Sequence, residues 1–138
     1  MIFVDTGFLL AFAQPTDALH PRALAWAATL KERFLVTEYV LLEVVNNLSM
    51  PVDRQRARRI VNFVRTDPAY EMLSASRRLF QAGLEIHSQR PDKEWSLTDC
   101  ISFHVMRDRG ITKALAYDHH FKQAGFEALL RRDPPSQF

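Results

Sequence analysis

The 138-residue chain reads as an α/β protein with a mainly parallel sheet. Three observations predict this. Short apolar runs alternate with longer stretches of helical periodicity along the chain. The connections between them are short, with no internal repeat, low-complexity tract or linker. The composition, 47% hydrophobic and 25% charged, suits a globular chain with a sizeable core, expected as a single domain over residues 1–138.

The elements follow in order. IFV (2–4) reads as a buried strand, followed by a helix from about Thr6 to Gln14. A second helix is expected from Asp17 to Glu32, with Pro21 where a first turn tolerates it. FLVT (34–37) is the next strand, and EYVLLEVVNNL (38–48) a helix stopped near Pro51. DRQRARRIVNFVRT (53–66) is an amphipathic, arginine-rich helix ending before Pro68. YEMLSA (70–75) is a third strand, with a helix after it through Gln89. EWSLTDCISFHVM (94–106) opens a helix that is apolar nearly all round, hence buried, and that Gly110 terminates. ALAY (114–117) is a fourth strand, His119 to Ala124 a short helix, and FEALL (126–130) a last short strand.

Several classes fall away. No apolar run approaches the roughly 20 residues of a membrane span. MIFVDTGFLL has no basic leader and meets an acid at its fifth residue, unlike a signal peptide. The one cysteine, Cys100, sits in an apolar stretch, reads as core and allows no internal disulfide, which suits a reducing cytoplasm. The net charge of +2 and pI near 8.9 permit a nucleic-acid partner without requiring one.

Four acids stand in awkward places. Asp5 closes the first strand and Asp118 the fourth, each at its carboxyl end. Glu43 interrupts VLLEVV, with Asn46 and Asn47 its polar helical neighbours. Asp99 lies between Phe103 and Met106 on an apolar helix, where a lone charge is costly. Each has an ordinary explanation. Asp5 and Asp118 precede helices and could be N-caps, Ser96 with Asp99 fits a capping box, and Glu43 could pair with an arginine. Together, however, all four point to one rim of a sheet, where ligands of such folds gather.

Clustered carboxylates repel: a pair about 4 Å apart costs roughly 4 kcal/mol at an effective dielectric of about 20. A hard divalent cation, Mg²⁺ or Mn²⁺, compensates through oxygen ligands, and the lack of a Cys/His cluster argues against zinc. The chemistry that fits is metal-assisted phosphodiester hydrolysis.

With VDTGFLLAF, TEYVLLEVVNNL, WSLTDCISF and ALAYDHHF in this order, the chain resembles the PIN-domain family along essentially its whole length. PDKEWSLTDCISF resembles in particular a bacterial subgroup close to the VapC-type toxins. The resemblance implies a Rossmann-like three-layer α/β/α sandwich and Mg²⁺- or Mn²⁺-dependent endoribonuclease activity. By motif matching it assigns metal-site roles to Asp5, Glu43, Asp99 and Asp118. Thr6 and Thr98, beside two of these acids, become candidate hydrogen-bonding supports. Implied partners are RNA, a small antitoxin protein and a second copy of the chain. The rival reading is a non-catalytic RNA- or protein-binding module of the same fold, and retention of all four acids counts against it.

Arg54, Arg56, Arg58, Arg59 and Arg65 crowd one helix and offer an RNA phosphate-binding surface, against the alternative of a solvated face. His119 and His120 are expected at the surface, against the alternative of ligating a metal or contacting RNA. Trp26 and Trp95 read as packing residues, with Trp95 alternatively a cover for the site entrance.

Overall fold

Ile2–Val4 form β1, wholly buried, and this first strand is the middle strand of the sheet. The computed structural model describes residues 1–136. The remaining strands are β2 (Phe34–Thr37), β3 (Tyr70–Leu73), β4 (Lys113–Leu115) and β5 (Glu127–Ala128). Their order is β3-β2-β1-β4-β5, and every neighbouring pair is parallel. Phe3 sits opposite Leu35 on one side and Ala114 on the other, so the register passes through apolar residues that are all fully buried.

The helices are α1 (Thr6–Ala13), α2 (His20–Thr29), α3 (Glu38–Asn47), α4 (Arg54–Thr66), α5 (Arg77–Gln89), α6 (Leu97–Arg109) and α7 (His119–Gln123). Parallel crossovers are right-handed. The chain steps from β1 to β3 in one direction, and returns through β4 to β5 in the other. That puts α1 to α4 on one face of the sheet and α5 to α7 on the opposite face. The packing agrees: α1 touches α2, α3 and α4, while α6 touches α5 and α7. The result is the three-layer Rossmann-like sandwich. Among the described residues, no helix is long and apolar enough to cross a membrane.

α6 is buried because it lies between the sheet and α5. Ile101, Phe103, Val105 and Met106 are all inside, and Phe103 meets Trp95, Phe121 and Phe126 in an aromatic cluster. Gly110 ends the helix in the left-handed conformation (φ 66°), which a residue without Cβ adopts freely.

Several boundaries differ from the sequence expectation. α2 begins at His20, because the Asp17 carboxylate accepts the Leu19 amide at 2.8 Å and closes a turn first. α6 begins at Leu97 behind its Ser96 cap. FEALL pairs only through Glu127 and Ala128, after which Leu129–Arg131 tighten into a 3-10 turn. β5 has only the three-residue β4 to pair with.

Candidate active site

β1 and β4 are neighbours whose onward connections leave toward opposite faces, and a crevice opens beyond their carboxyl ends. Asp5 follows β1 there, its amide held by the Leu115 carbonyl at 3.1 Å. It occupies the N-cap position of α1, yet its side chain makes no capping bond. Capping therefore does not explain the residue, whose side chain is buried (8% exposed).

Asp118 does cap α7, accepting the His120 amide at 3.0 Å through Oδ1. Glu43 enters from α3, half-buried, with Asn47 one turn on donating to the Glu43 carbonyl at 2.8 Å. Asp99 completes a capping box on α6: its amide donates to Ser96 Oγ (3.0 Å), and its Oδ2 accepts the Ser96 amide (3.1 Å). The helix start thus fixes where the Asp99 carboxylate stands. α3 and α6, from opposite faces of the sheet, meet at this rim.

All four carboxylates line one cleft of about 800 Å³. Their mutual effect shows at Asp5. Burial above all, and then the charges of Asp99, Glu43 and Asp118, push its carboxyl up to about 8, outweighing the opposing effect of the Thr6 backbone. Thr6 lines the same cleft, and its hydroxyl is buried without a partner. A site of oxygen donors, with a carboxyl that stays protonated until a positive charge arrives, suits a hard divalent cation.

Sequence reasoning missed part of this cleft. Asp17, Glu94, Tyr117, His119, His120 and Arg131 also line it. His120 corrects the surface expectation. Its ring is 14% exposed, with Nδ1 3.0 Å from Asp99 Oδ2 and 3.2 Å from Asp118 Oδ1. Only His119 is exposed as expected. Asp118, His119 and His120 each bring one ligand atom within 4.8 Å of the others. Arg131 donates to the Tyr117 carbonyl (2.7 Å) and lies over the Tyr117 ring (4.8 Å), so its guanidinium is fixed at the cleft wall.

A model of the PIN domain family matches residues 2–127. The chain belongs to the PIN-domain family. It is 31% identical over 126 residues to the 23S rRNA-specific endonuclease VapC20 of Mycobacterium tuberculosis, in both strains CDC 1551 and H37Rv, covering 91% of this chain and 95% of the relative. The crystal structure of M. tuberculosis VapC20, described as a sarcin-ricin loop cleaving toxin, superposes with a TM-score of 0.84 at 28% identity, over 91% of this chain and 96% of that one. FitAcB from Neisseria gonorrhoeae shares the fold at a TM-score of 0.68 and 17% identity, over 93% and 96%. PIN-domain nucleases are hydrolases, generally working with divalent metal ions, and this VapC-like chain is an enzyme of that class.

The other expected residues of this PIN domain divide. Thr98 is not part of the cleft wall: one residue before Asp99 on a helix, it faces roughly 100° away. Trp95 is core, 4% exposed, with its indole N–H on Gln123, and covers no entrance. Cys100 is fully buried, as expected.

None of the five arginines lines the cleft. Arg56 pairs with Asp53 at 3.1 Å and, with Arg59, borders a small apolar cavity against Leu9, Phe12 and Phe63. Arg54, Arg58 and Arg65 line a separate groove of about 400 Å³ with Leu48 and Asn62. A hollow holding both Leu48 and Asn47 lies between that groove and the cleft.

Proposed function

We propose that this PIN domain is a Mg²⁺- or Mn²⁺-dependent endoribonuclease, the toxin of a toxin–antitoxin module, acting in the cytoplasm on structured RNA of the ribosomal kind named for its relative. The observation that carries this reading is the gathering of Asp5, Glu43, Asp99 and Asp118 in one cleft, with the Asp5 carboxyl held near 8 in the absence of a cation. Residues 1–138 act as a single domain in this reading, with RNA, a small antitoxin protein and a second copy of the chain as partners.

RNA hydrolysis adds water across a P–O bond, leaving a phosphate on one fragment and a hydroxyl on the other. The cation, when bound, supplies an acidified water and neutralises charge on the leaving oxygen. The chain's residues do the rest. Asp5, Asp99 and Asp118 would hold the ion, with the Thr6 hydroxyl available beside Asp5. Glu43, on the helix opposite Asp99, would orient the attacking water and take its proton. Arg131 faces the cleft as a fixed guanidinium, the group that matches a phosphate in a fork of two N–H donors. Arg54, Arg58 and Arg65 extend the phosphate path along α4.

The test is cleavage of ribosomal RNA by the purified protein with Mg²⁺ or Mn²⁺, against EDTA and Asp99→Asn. An Asn can still accept the Ser96 amide, so the variant keeps its helix cap and its fold, which circular dichroism checks. Activity should disappear in EDTA and fall at least about 100-fold in the variant. Cutting that survives either change overturns the proposal.

A further inference from the structure

His120 is 14% exposed and has a defined place between two of the acids. Asp99 lies 21 residues away in sequence, and its Oδ2 is hydrogen-bonded to His120 Nδ1 at 3.0 Å. The same nitrogen stands 3.2 Å from Asp118 Oδ1. In each carboxylate the contacted oxygen is already occupied by backbone: Asp99 Oδ2 accepts the Ser96 amide, and Asp118 Oδ1 accepts the His120 amide. Asp99 Oδ1 and Asp118 Oδ2 receive no hydrogen bond from the described residues, so each of these cleft-lining acids keeps one oxygen unpaired among them.

We propose that His120 is a positioning residue: its Nδ1–H clasps one oxygen of Asp99 and one of Asp118, turning the other oxygen of each toward a shared divalent cation. This rests on the metal-site reading above and adds to it a residue outside the four acids. A carboxylate can rotate about its terminal torsion, which is broad. One backbone bond to each acid leaves that rotation and the mutual repulsion of the two groups opposed by little else. A single donor between them reduces both. The neutral imidazole suffices, since one tautomer carries its proton on Nδ1. Partners of this outer kind typically change metal affinity about 10- to 100-fold when removed.

The geometry also separates this role from direct ligation. With its proton on Nδ1, the nitrogen that meets the two acids is a donor and not a ligand. An imidazole bonded to the ion would instead have to turn its lone pair into the cleft.

The experiment measures Mn²⁺ binding, without RNA, to the wild type, His120→Ala and His120→Asn by isothermal titration and electron paramagnetic resonance. An Asn amide N–H can stand where Nδ1–H stands. His120→Ala should weaken Mn²⁺ about 10- to 100-fold, and His120→Asn should recover most of that loss. At saturating Mn²⁺, His120→Ala should lower kcat while leaving KM for RNA unchanged. Equal Mn²⁺ affinity in wild type and His120→Ala overturns the proposal, as does a folded His120→Asn no better than His120→Ala. A directly bonded ¹⁴N coupling in the electron spin-echo spectrum of the Mn²⁺-loaded wild type would make His120 a ligand instead. If the wild type binds no Mn²⁺, the metal site and this inference fall together. Binding that follows the expected pattern in a protein that cuts no RNA would sink only the nuclease reading.

Discussion

Gly83 on α5 lies against Ile101 on α6 so closely that a Cβ on Gly83 would stand 2.3 Å from Ile101 Cγ1 and 3.1 to 3.2 Å from the Ile101 backbone. Ile101 is two residues beyond Asp99. The absent side chain therefore sets how near α5 approaches the helix that carries one of the four acids.

Gly83→Ala tests this. Alanine favours a helix over glycine by roughly 1 kcal/mol, but overpacking costs about 1–3 kcal/mol, and here backbone as well as side chain must give way. Net loss of stability is expected, with a melting temperature lower by a few degrees, together with weaker Mn²⁺ binding as α6 shifts. A variant as stable as the wild type, or more so, would show that α6 is not held by this contact.

The Asp5 carboxyl gives a dependence on pH with a definite sign. Burial raises it from an ordinary value of 3.8 to about 8, so the folded metal-free protein holds a proton that the unfolded chain releases. Its contribution to stability is complete below about pH 3.8 and is lost as the pH climbs toward 8. In EDTA, melting temperature should fall between pH 5 and pH 8, and Asp5→Asn should flatten part of that slope. Mg²⁺ added at pH 8 should restore the wild type by mass action and do little for Asp5→Asn. Thermal melts over pH and Mg²⁺ decide it. Identical slopes in the two proteins would remove Asp5 as their source.

The groove of Arg54, Arg58 and Arg65 makes a separate prediction about salt. If these three meet RNA phosphates, replacing all of them with alanine should reduce the log–log salt slope of RNA binding by about 2, at roughly 0.7 per phosphate on single-stranded RNA. The rate of cleavage at saturating RNA should not change. Fluorescence anisotropy across a salt series in the Asp99→Asn background measures the slope without cleavage. An unchanged slope makes these arginines an ordinary solvated face.

The four acids were legible in the sequence because each breaks a local pattern: a charge at the end of a buried strand, or one on an apolar helix face. The core strands announced themselves equally well, since IFV and FLV are short apolar runs, each halted by a polar residue, Asp5 and Thr37. His120 carries no such mark. A histidine in a short polar helix looks like any surface histidine, and only the contact with Asp99, from a distant element, gives it a role. Arg131, Asp17 and Glu94 reach the cleft from turns and loops, where no periodicity says which way a side chain points. The five arginines could not be sorted from the sequence for the opposite reason. Their helix was plain, but its faces look into different hollows, one of them apolar, and Arg56 is taken by Asp53.

The position of β1 at the middle of the sheet has a consequence for how the protein is made. β1 must wait for β4 before its second edge is paired, and β4 begins at Lys113. A ribosome that stalls just before that point releases a chain with Asp5, Glu43 and Asp99 but neither β4 nor the Asp118 that follows it. Such a product has an incomplete cleft and an open central edge, prone to mispairing and to degradation. The carboxylate set of this PIN domain is thus complete only once β4 has been translated and has docked beside β1.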